Sequence, residues 1–337
     1  MTATDLLYGD GAGPRLVRSV LRPLSSLYGF AVGVRNSLYD SSRLESLRAG
    51  IPVISIGNIS VGGTGKTPVT AWLAHKLSVA GERPAIVLRG YGNDEPLVHA
   101  HLNPDVPVVV DAVRLRGVET AEKAGATIAL LDDAFQHRSI QRDADIVLIS
   151  AERWNEAMLL LPSGDLREPL SALNRASFVM ITRKSASRDK ALAVEKAIRN
   201  RFRDLPVAIG LLAPQALRDR IGNEIPLQVL DGALALGFSA VGDNDAFQRQ
   251  LREVGARIHF KSFRDHHRFS SRELAHLAAA SATVQYSICT LKDAVKVWPN
   301  WPAGAKPLWY VSQALVLESG AGALEELIGR VTAIKRN

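Results

Sequence analysis

Residues 57–68 read GNISVGGTGKTP, and the reading of this stretch decides the fold. Gly65-Lys66-Thr67 has the form of the end of a phosphate-binding loop, but Ser60 stands five residues before Gly65, where the common pattern asks for glycine,. The β-branched run IPVISI (51–56) leads into the loop, and a helix is predicted from about Pro68 to Val79,. In a strand–glycine turn–helix of this kind, backbone N–H groups surround phosphate oxygens and the helix N-terminus adds partial positive charge. Gly62, Gly63, Thr64, Gly65, Lys66 and Thr67 are the predicted nucleotide-binding residues. Lys66 supplies charge to the β/γ-phosphates, and the Thr67 hydroxyl is a ligand for Mg²⁺. Ser60 shapes the outer turn, away from the innermost cradle. Pro68 is tolerated because the first helical turn has N–H groups to spare.

A phosphate loop needs an acidic partner at the end of a buried strand. IALLDDAFQH (128–137) offers one, an apolar run that ends in Asp132-Asp133. Two adjacent carboxylates there are costly without a cation, and Mg²⁺ relieves them. Thr67, Asp132 and Asp133 are therefore the predicted metal ligands, with ATP and Mg²⁺ as the expected cofactors.

Outward from this pair, short apolar runs alternate with helical stretches, which predicts parallel β-sheet flanked by helices. Runs at 85–88, 106–110, 128–131 and 145–149 read as strands of a P-loop NTPase-like three-layer α/β/α domain. PSGDLREP (162–169) carries two prolines and a glycine and reads as a linker or hinge,. Strand-like runs resume at 178–182 and continue to 308–311, giving a second, smaller α/β domain. The expected organisation is an N-terminal helix in 1–40, a nucleotide domain in 41–170 and a second domain in 171–317. A last helix at about 318–337 is left free to pack back on the nucleotide domain.

The 337 residues carry a net charge of +7, which suits an acidic ligand or an anionic surface,. The basic residues are dispersed, with no aromatic-striped patch, so nucleic acid is not an expected partner; no protein partner is predicted,. The one cysteine, Cys289, lies in the apolar run YSICTL and reads as a core residue, and a reducing compartment is expected,. No secretory leader is apparent. Residues 15–35 place Leu16, Val20, Leu24, Leu27, Tyr28 and Ala31 at helical spacing between basic ends (Arg15, Arg18, Arg22 and Arg35). That pattern fits an amphipathic helix at a membrane interface, or a surface helix packed on the core.

Further segments converge with VGGTGKTP in one order. They are Arg89-Gly90-Tyr91-Gly92, Asp94-Glu95-Pro96, Phe135-Gln136-His137, Leu166-Arg167-Glu168-Pro169, Asp265-His266-His267, and Lys292-Asp293-Ala294-Val295-Lys296 after Thr290. Together they resemble the tetraacyldisaccharide 4′-kinase family of lipid A biosynthesis, whose loop shares the shortened glycine pattern. The resemblance implies that ATP donates its γ-phosphate to the 4′-hydroxyl of an acylated glucosamine disaccharide 1-phosphate. It also implies an enzyme peripheral to the cytoplasmic face of the bacterial inner membrane, held on that anionic surface by its N-terminal helix. The opposing expectation, a P-loop ATPase or GTPase switch, lacks support from any Asn-Lys-x-Asp guanine-reading run.

By the same resemblance Asp94 and His266 form a carboxylate–imidazole pair brought together across an interdomain cleft, and they are catalytic with Lys66 and Arg167. A sugar hydroxyl needs such a pair to orient it and take its proton. Spacing alone leaves either His266 or His267 as the acting histidine. Arg167, like Arg89, suits charge stabilisation of a transferring phosphoryl group. His137 reads equally as a ligand contact or a satisfied structural histidine. The chain departs from the family pattern at Ala134 (usually glycine), at Leu291 (usually glutamate) and in a short Tyr91–Asp94 stretch.

Overall fold

The computed structural model describes residues 11–90, 94–155 and 158–334. The Tyr91–Asn93 stretch, part of the Arg89–Gly92 segment, lies outside the described residues. The chain divides into two compact units: unit 1 takes the residues up to Arg89, Val106–Leu211 and those from Val316 on, and unit 2 takes Gly90–Asp105 and Leu212–Leu315.

Unit 1 opens with a long helix, α1 (Ala12–Asp40). There follow β1 (Val53–Asn58), α2 (Lys66–Val79) and β2 (Pro84–Leu88). The chain then enters unit 2 for α3 (Asp94–Leu102) and returns with β3 (Val108–Val110), α4 (Arg114–Lys123), β4 (Ile128–Asp132) and β5 (Ala144–Ser150). β6 (Phe178–Arg183) and α5 (Arg188–Arg201) complete this stretch. Strand order is β6-β5-β1-β4-β2-β3, every pairing parallel. β1, β4 and β5 are buried along their whole length, as expected of parallel strands covered on both faces,. Val53, Val87 and Leu131 pack with Val118 and Ala121 of α4. Val147, Val179 and Ile181 pack with Ala191, Val194 and Ile198 of α5.

β7 (Val207–Arg218) and β12 (Leu308–Ser319) each run through both units. β12, at 12 residues, is three times as long as the apolar run at 308–311, because its later residues are only partly buried. Between β7 and β12 unit 2 holds β8 (Glu224–Pro226), β9 (Leu234–Ser239), α6 (Asn244–Glu253) and β10 (Arg257–Ser262). α7 (Ser271–Ser281), β11 (Tyr286–Cys289) and α8 (Leu291–Val297) follow. The order β10-β9-β11-β12 is parallel except for the separate antiparallel β8 on β7. Cys289 is fully buried here, beside Phe238 and Val297. α9 (Ala321–Thr332) belongs to unit 1, where Glu325 meets Lys76 of α2 at 3.0 Å.

The change of unit does not fall at residues 162–169. β6 pairs with β5 from Phe178 to Thr182, which carries unit 1 on to Leu211. Nor is the Pro162–Pro169 stretch a free linker. Val61 N–H donates to Asp165 O at 2.7 Å, Arg167 N–H donates to Ile59 O at 2.7 Å, and Ser60 and Leu166 form an antiparallel bridge. Its prolines and glycine serve a tight, pinned turn rather than a hinge.

α1 turns its small and polar residues inward. Ser25 Oγ donates to Leu160 O, Tyr28 Oη to Arg167 O at 2.8 Å, and Asn36 Nδ2 to Glu168 Oε2 at 2.8 Å. A Cβ on Gly29 would come within 2.7 Å of Leu160 Cδ1, so the helix packs closely on that side chain here. The opposite face carries Leu16, Val20, Leu24, Leu27, Phe30 and Val34, all exposed. Among the described residues no helix is long and apolar enough to cross a membrane.

Candidate active site

The first cluster is built on the end of β1. Gly65 caps α2 in the left-handed region at φ 87°, and Gly62 lies at φ 102°, conformations that favour glycine,. The loop is held from within and from β6: Asn58 Nδ2 donates to Thr64 Oγ1 at 3.0 Å and Thr182 Oγ1 to Thr64 O at 2.8 Å. α2 begins at Lys66, so Pro68 is its third residue and its missing N–H leaves no helical hydrogen bond unmade,. Ser60 is buried in the bridge to Leu166, which explains a side chain where a free turn would have glycine.

β4 lies parallel to β1 with Asp132 beside Ile56, so its acidic end arrives next to the loop. Asp132 is buried. Asp133 takes the left-handed region at φ 53°, a strained state for a residue with a side chain and one that gathers at functional sites,. Two cations face its carboxylate: Lys66 Nζ at 3.6 Å and Arg167 Nη1 at 3.0 Å. Arg167 gets there because its own amide is tied to Ile59, one residue past β1. Gly62, Gly63, Thr64, Gly65, Lys66, Thr67, Asp132, Asp133 and Arg167 thus come together in unit 1.

The oxygen donors of Thr67, Asp132 and Asp133 suit a hard cation such as Mg²⁺,. Among the described residues no group of three His, Cys, Asp or Glu is poised to enclose a metal. The two positive-φ glycines and Lys66 fit a polyphosphate in the same way,.

Three basic residues that loop spacing does not flag also stand here. A Cβ at Gly62 would come within 2.5 Å of the Arg153 guanidinium, and Lys184 Nζ reaches to 3.5 Å from Gly63 O. Arg114 is buried at the first position of α4, with no acidic residue in that turn. Burial weakens its hold on its proton, while the Asp132 and Asp133 charges strengthen it. A buried arginine at the positive end of a helix is a misplaced charge, but its burial is not legible in the sequence,. His137 hydrogen-bonds Ser139 at 3.0 Å, and burial with the charges of Arg114, Arg142, Arg35 and Arg89 lowers its pKa to about 4. It is therefore neutral near pH 7.

The second cluster lies wholly in unit 2. Asp94 is the first residue of α3, with its side chain buried, and His266 Nδ1 stands 3.5 Å from Asp94 Oδ2. The pair is thus not divided between two domains, as the resemblance implied. α3 leaves the nucleotide unit because Val98 packs into the unit 2 core with Val295 and Trp298, and because Glu95 pairs with Lys292 at 3.5 Å. Arg89 belongs to unit 1 and Asp94 to unit 2.

The two histidines differ in what they touch. His267 Nε2 is hydrogen-bonded to Glu273 at 3.0 Å, and its ring stacks on Phe263 at 5.0 Å and meets Phe269 edge-on. His266 is half exposed (51%), lies at φ 56°, and its Nε2 stands 3.9 Å from Asp265 Oδ1. One carboxylate at Nδ1 and an accessible Nε2 are the arrangement a general base requires. Leu291, where a glutamate was expected, packs against the unit 2 core, and Ala134 is fully buried.

A family model described as Tetraacyldisaccharide-1-P 4'-kinase matches residues 17–332. A tetraacyldisaccharide 4'-kinase of Syntrophus aciditrophicus is 35% identical over 330 residues, covering 86% of this chain and 88% of that one. The enzyme of the same name from Bdellovibrio bacteriovorus is 30% identical, over 94% and 99%. Among solved structures, LpxK from Aquifex aeolicus, crystallised in complex with ATP, superposes with a TM-score of 0.76 at 30% identity, over 94% of this chain and 99% of that one. With the family model spanning nearly the whole chain and relatives of this similarity, the chain belongs to the tetraacyldisaccharide-1-phosphate 4′-kinase family.

Proposed function

We propose that the protein transfers the γ-phosphate of ATP to the 4′-hydroxyl of a tetraacyldisaccharide 1-phosphate, with unit 1 as a P-loop nucleotide unit and Asp94–His266 as the proton-accepting pair. The observation that carries the reading is the pair of clusters: a glycine-cradled Lys66-Thr67 loop beside Asp132-Asp133, and an imidazole braced by a buried carboxylate. Family membership supplies the acceptor.

Mg²⁺ bound by Thr67, Asp132 and Asp133 would neutralise phosphate charge. Lys66 and Arg167, now balanced on Asp133, supply further positive charge for the equatorial oxygens,. Asp94, 3.5 Å from Nδ1, keeps the proton on that nitrogen and so fixes the tautomer, leaving Nε2 to take the hydroxyl proton while the carboxylate stabilises the imidazolium that forms,. The sugar oxygen bonds to Pγ as the bond from Pγ to the bridging oxygen breaks, and ADP leaves with that electron pair.

The outward apolar face of α1 is read as the membrane contact. Burying a large apolar side chain is worth about 1.5–3 kcal/mol, and six stand in water on this one helix,. Its inner face is tied to the Arg167 segment, which supports a peripheral seat on the inner membrane's cytoplasmic face,. Leu27→Glu with Phe30→Glu is expected to abolish co-flotation with anionic vesicles while detergent-assayed transfer persists; unchanged flotation would remove the anchor from the account.

Transfer itself is tested with purified protein in detergent, labelled ATP, Mg²⁺ and the disaccharide 1-phosphate lipid. Label is expected in the lipid. Hydrolysis of ATP without lipid labelling would favour the ATPase-switch reading instead.

A further inference from the structure

His266 occupies a backbone conformation that side-chain-bearing residues adopt at a cost,. The contacts on either side of it converge on one carboxylate. On one side, His266 N–H donates to Ala240 O at 3.2 Å, and the amide of Ala240 donates to Asp293 Oδ2 at 3.0 Å. On the other, Lys296 Nζ donates to His267 O at 3.4 Å and stands 3.0 Å from Asp293 Oδ1. That last contact lies off the line of a hydrogen bond and is an ion pair. Both Asp293 and Lys296 come from α8, one turn apart.

Asp293 is completely buried, and Lys296 is 17% exposed. The ammonium also lies 5.6 Å from the Phe269 ring centroid, so three groups confine it: a carboxylate, a carbonyl and an aromatic face. Helix capping accounts for the carboxylate but not for the lysine: Thr290 Oγ1 accepts the Asp293 N–H at 3.3 Å and donates to Asp293 Oδ2 at 2.7 Å, while Lys296 takes no part in the cap,. A buried ion pair is a poor route to stability, since apolar residues of similar volume do as well or better. What this pair adds is fixed backbone on both flanks of one histidine.

We propose that the buried Asp293–Lys296 pair is a positioning device for His266, clamping the chain at Ala240 and His267 so that Nδ1 faces Asp94. The inference rests on the reading of His266 as proton acceptor. Asp293 and Lys296 touch no substrate in this scheme; they act through the histidine.

The test uses the full-length protein and the transfer assay, with Lys296→Met, Asp293→Asn, Lys296→Arg, His266→Ala and the His266→Ala/Lys296→Met double variant. Misplacing a base by about an ångström costs up to ~10²-fold. Lys296→Met and Asp293→Asn are each expected to lower kcat by about 10- to 100-fold with KM for ATP unchanged, and Lys296→Arg to recover most of the rate. In the His266→Ala background, Lys296→Met is expected to cost nothing further. A wild-type kcat in Lys296→Met, or a full additional loss in the double variant, would overturn the positioning role alone. A wild-type rate in His266→Ala would overturn the base assignment itself and the proposal with it. Where Lys296→Met does not fold, as judged by lost ATP binding, Asp293→Asn in both backgrounds carries the same comparison.

Discussion

The end of β4 in unit 1 and the histidine loop of unit 2 each carry a polar side chain on left-handed backbone: Asp133 at φ 53° and His266 at φ 56°. They are held there differently. Asp133 follows directly from β4, whose register with the fully buried β1 is fixed over four residues, and its carboxylate meets cations from the loop and from the Arg167 turn. His266 lies in the connection between β10 and α7, and its place depends on Ala240, Asp94 and α8, all distant in sequence. One site is built from a sheet outward. The other is assembled from contacts that only the finished fold brings together, so the two should fail in different ways.

Lys66→Ala should give the largest effect. It removes the cation of the loop and leaves Asp133 with Arg167 alone. Transfer is expected to fall by about 10³-fold or more, with weakened ATP binding seen by calorimetry. His266→Ala should lower kcat by ~10²-fold or more yet leave ATP affinity unchanged, because the imidazole lies in the other unit,. If both variants lost ATP binding equally, the division of labour between the units would be wrong.

A smaller effect sharpens the electrostatics of unit 1. His137 has a folded-state pKa of about 4, below its ordinary 6.5, owing to burial and to the charges of Arg114, Arg142, Arg35 and Arg89. Between those values the unfolded chain binds more protons than the folded one. Stability therefore falls as pH drops from 6.5 towards 4 and owes nothing to this group above 6.5. His137→Gln should flatten that decline by on the order of 1 kcal/mol, roughly 2 °C in Tm, in melts at pH 7 and pH 5. An unchanged slope would mean that the imidazole charges freely among these arginines.

The same contrast explains what could be read before the fold was seen. The turn at Gly62–Thr67 and the strand end at Asp132-Asp133 are legible because each is a local object: strand, turn and helix are consecutive, and hydrophobic patterning locates the second strand end. The strands of both units other than β8, whose Glu224–Pro226 has no apolar run, follow from hydrophobic patterning for the same reason. The unit boundary was not legible. PSGDLREP has a linker's composition, but its backbone is spent on hydrogen bonds to Ile59 and Val61, a pairing more than 100 residues away in sequence. α3 was hidden because DEPLVHAHL has almost no apolar periodicity, and its allegiance to unit 2 depends on Val98 and the Glu95–Lys292 contact. Spacing left His266 and His267 equivalent; Glu273 and two phenylalanine rings distinguish them. Arg114 was missed because an isolated arginine carries no motif.

The central claim is that unit 1 holds the nucleotide while Asp94–His266 takes the proton of the acceptor hydroxyl. It is tested most directly by single-turnover transfer from labelled ATP to the disaccharide 1-phosphate lipid, measured for the wild-type protein and His266→Ala at saturating ATP, with ATP affinity determined on the same samples. The account predicts rapid labelling of the lipid by the wild type, a rate lower by ~10²-fold or more in the variant, and equal ATP affinity. Equal transfer rates in the two proteins would contradict it.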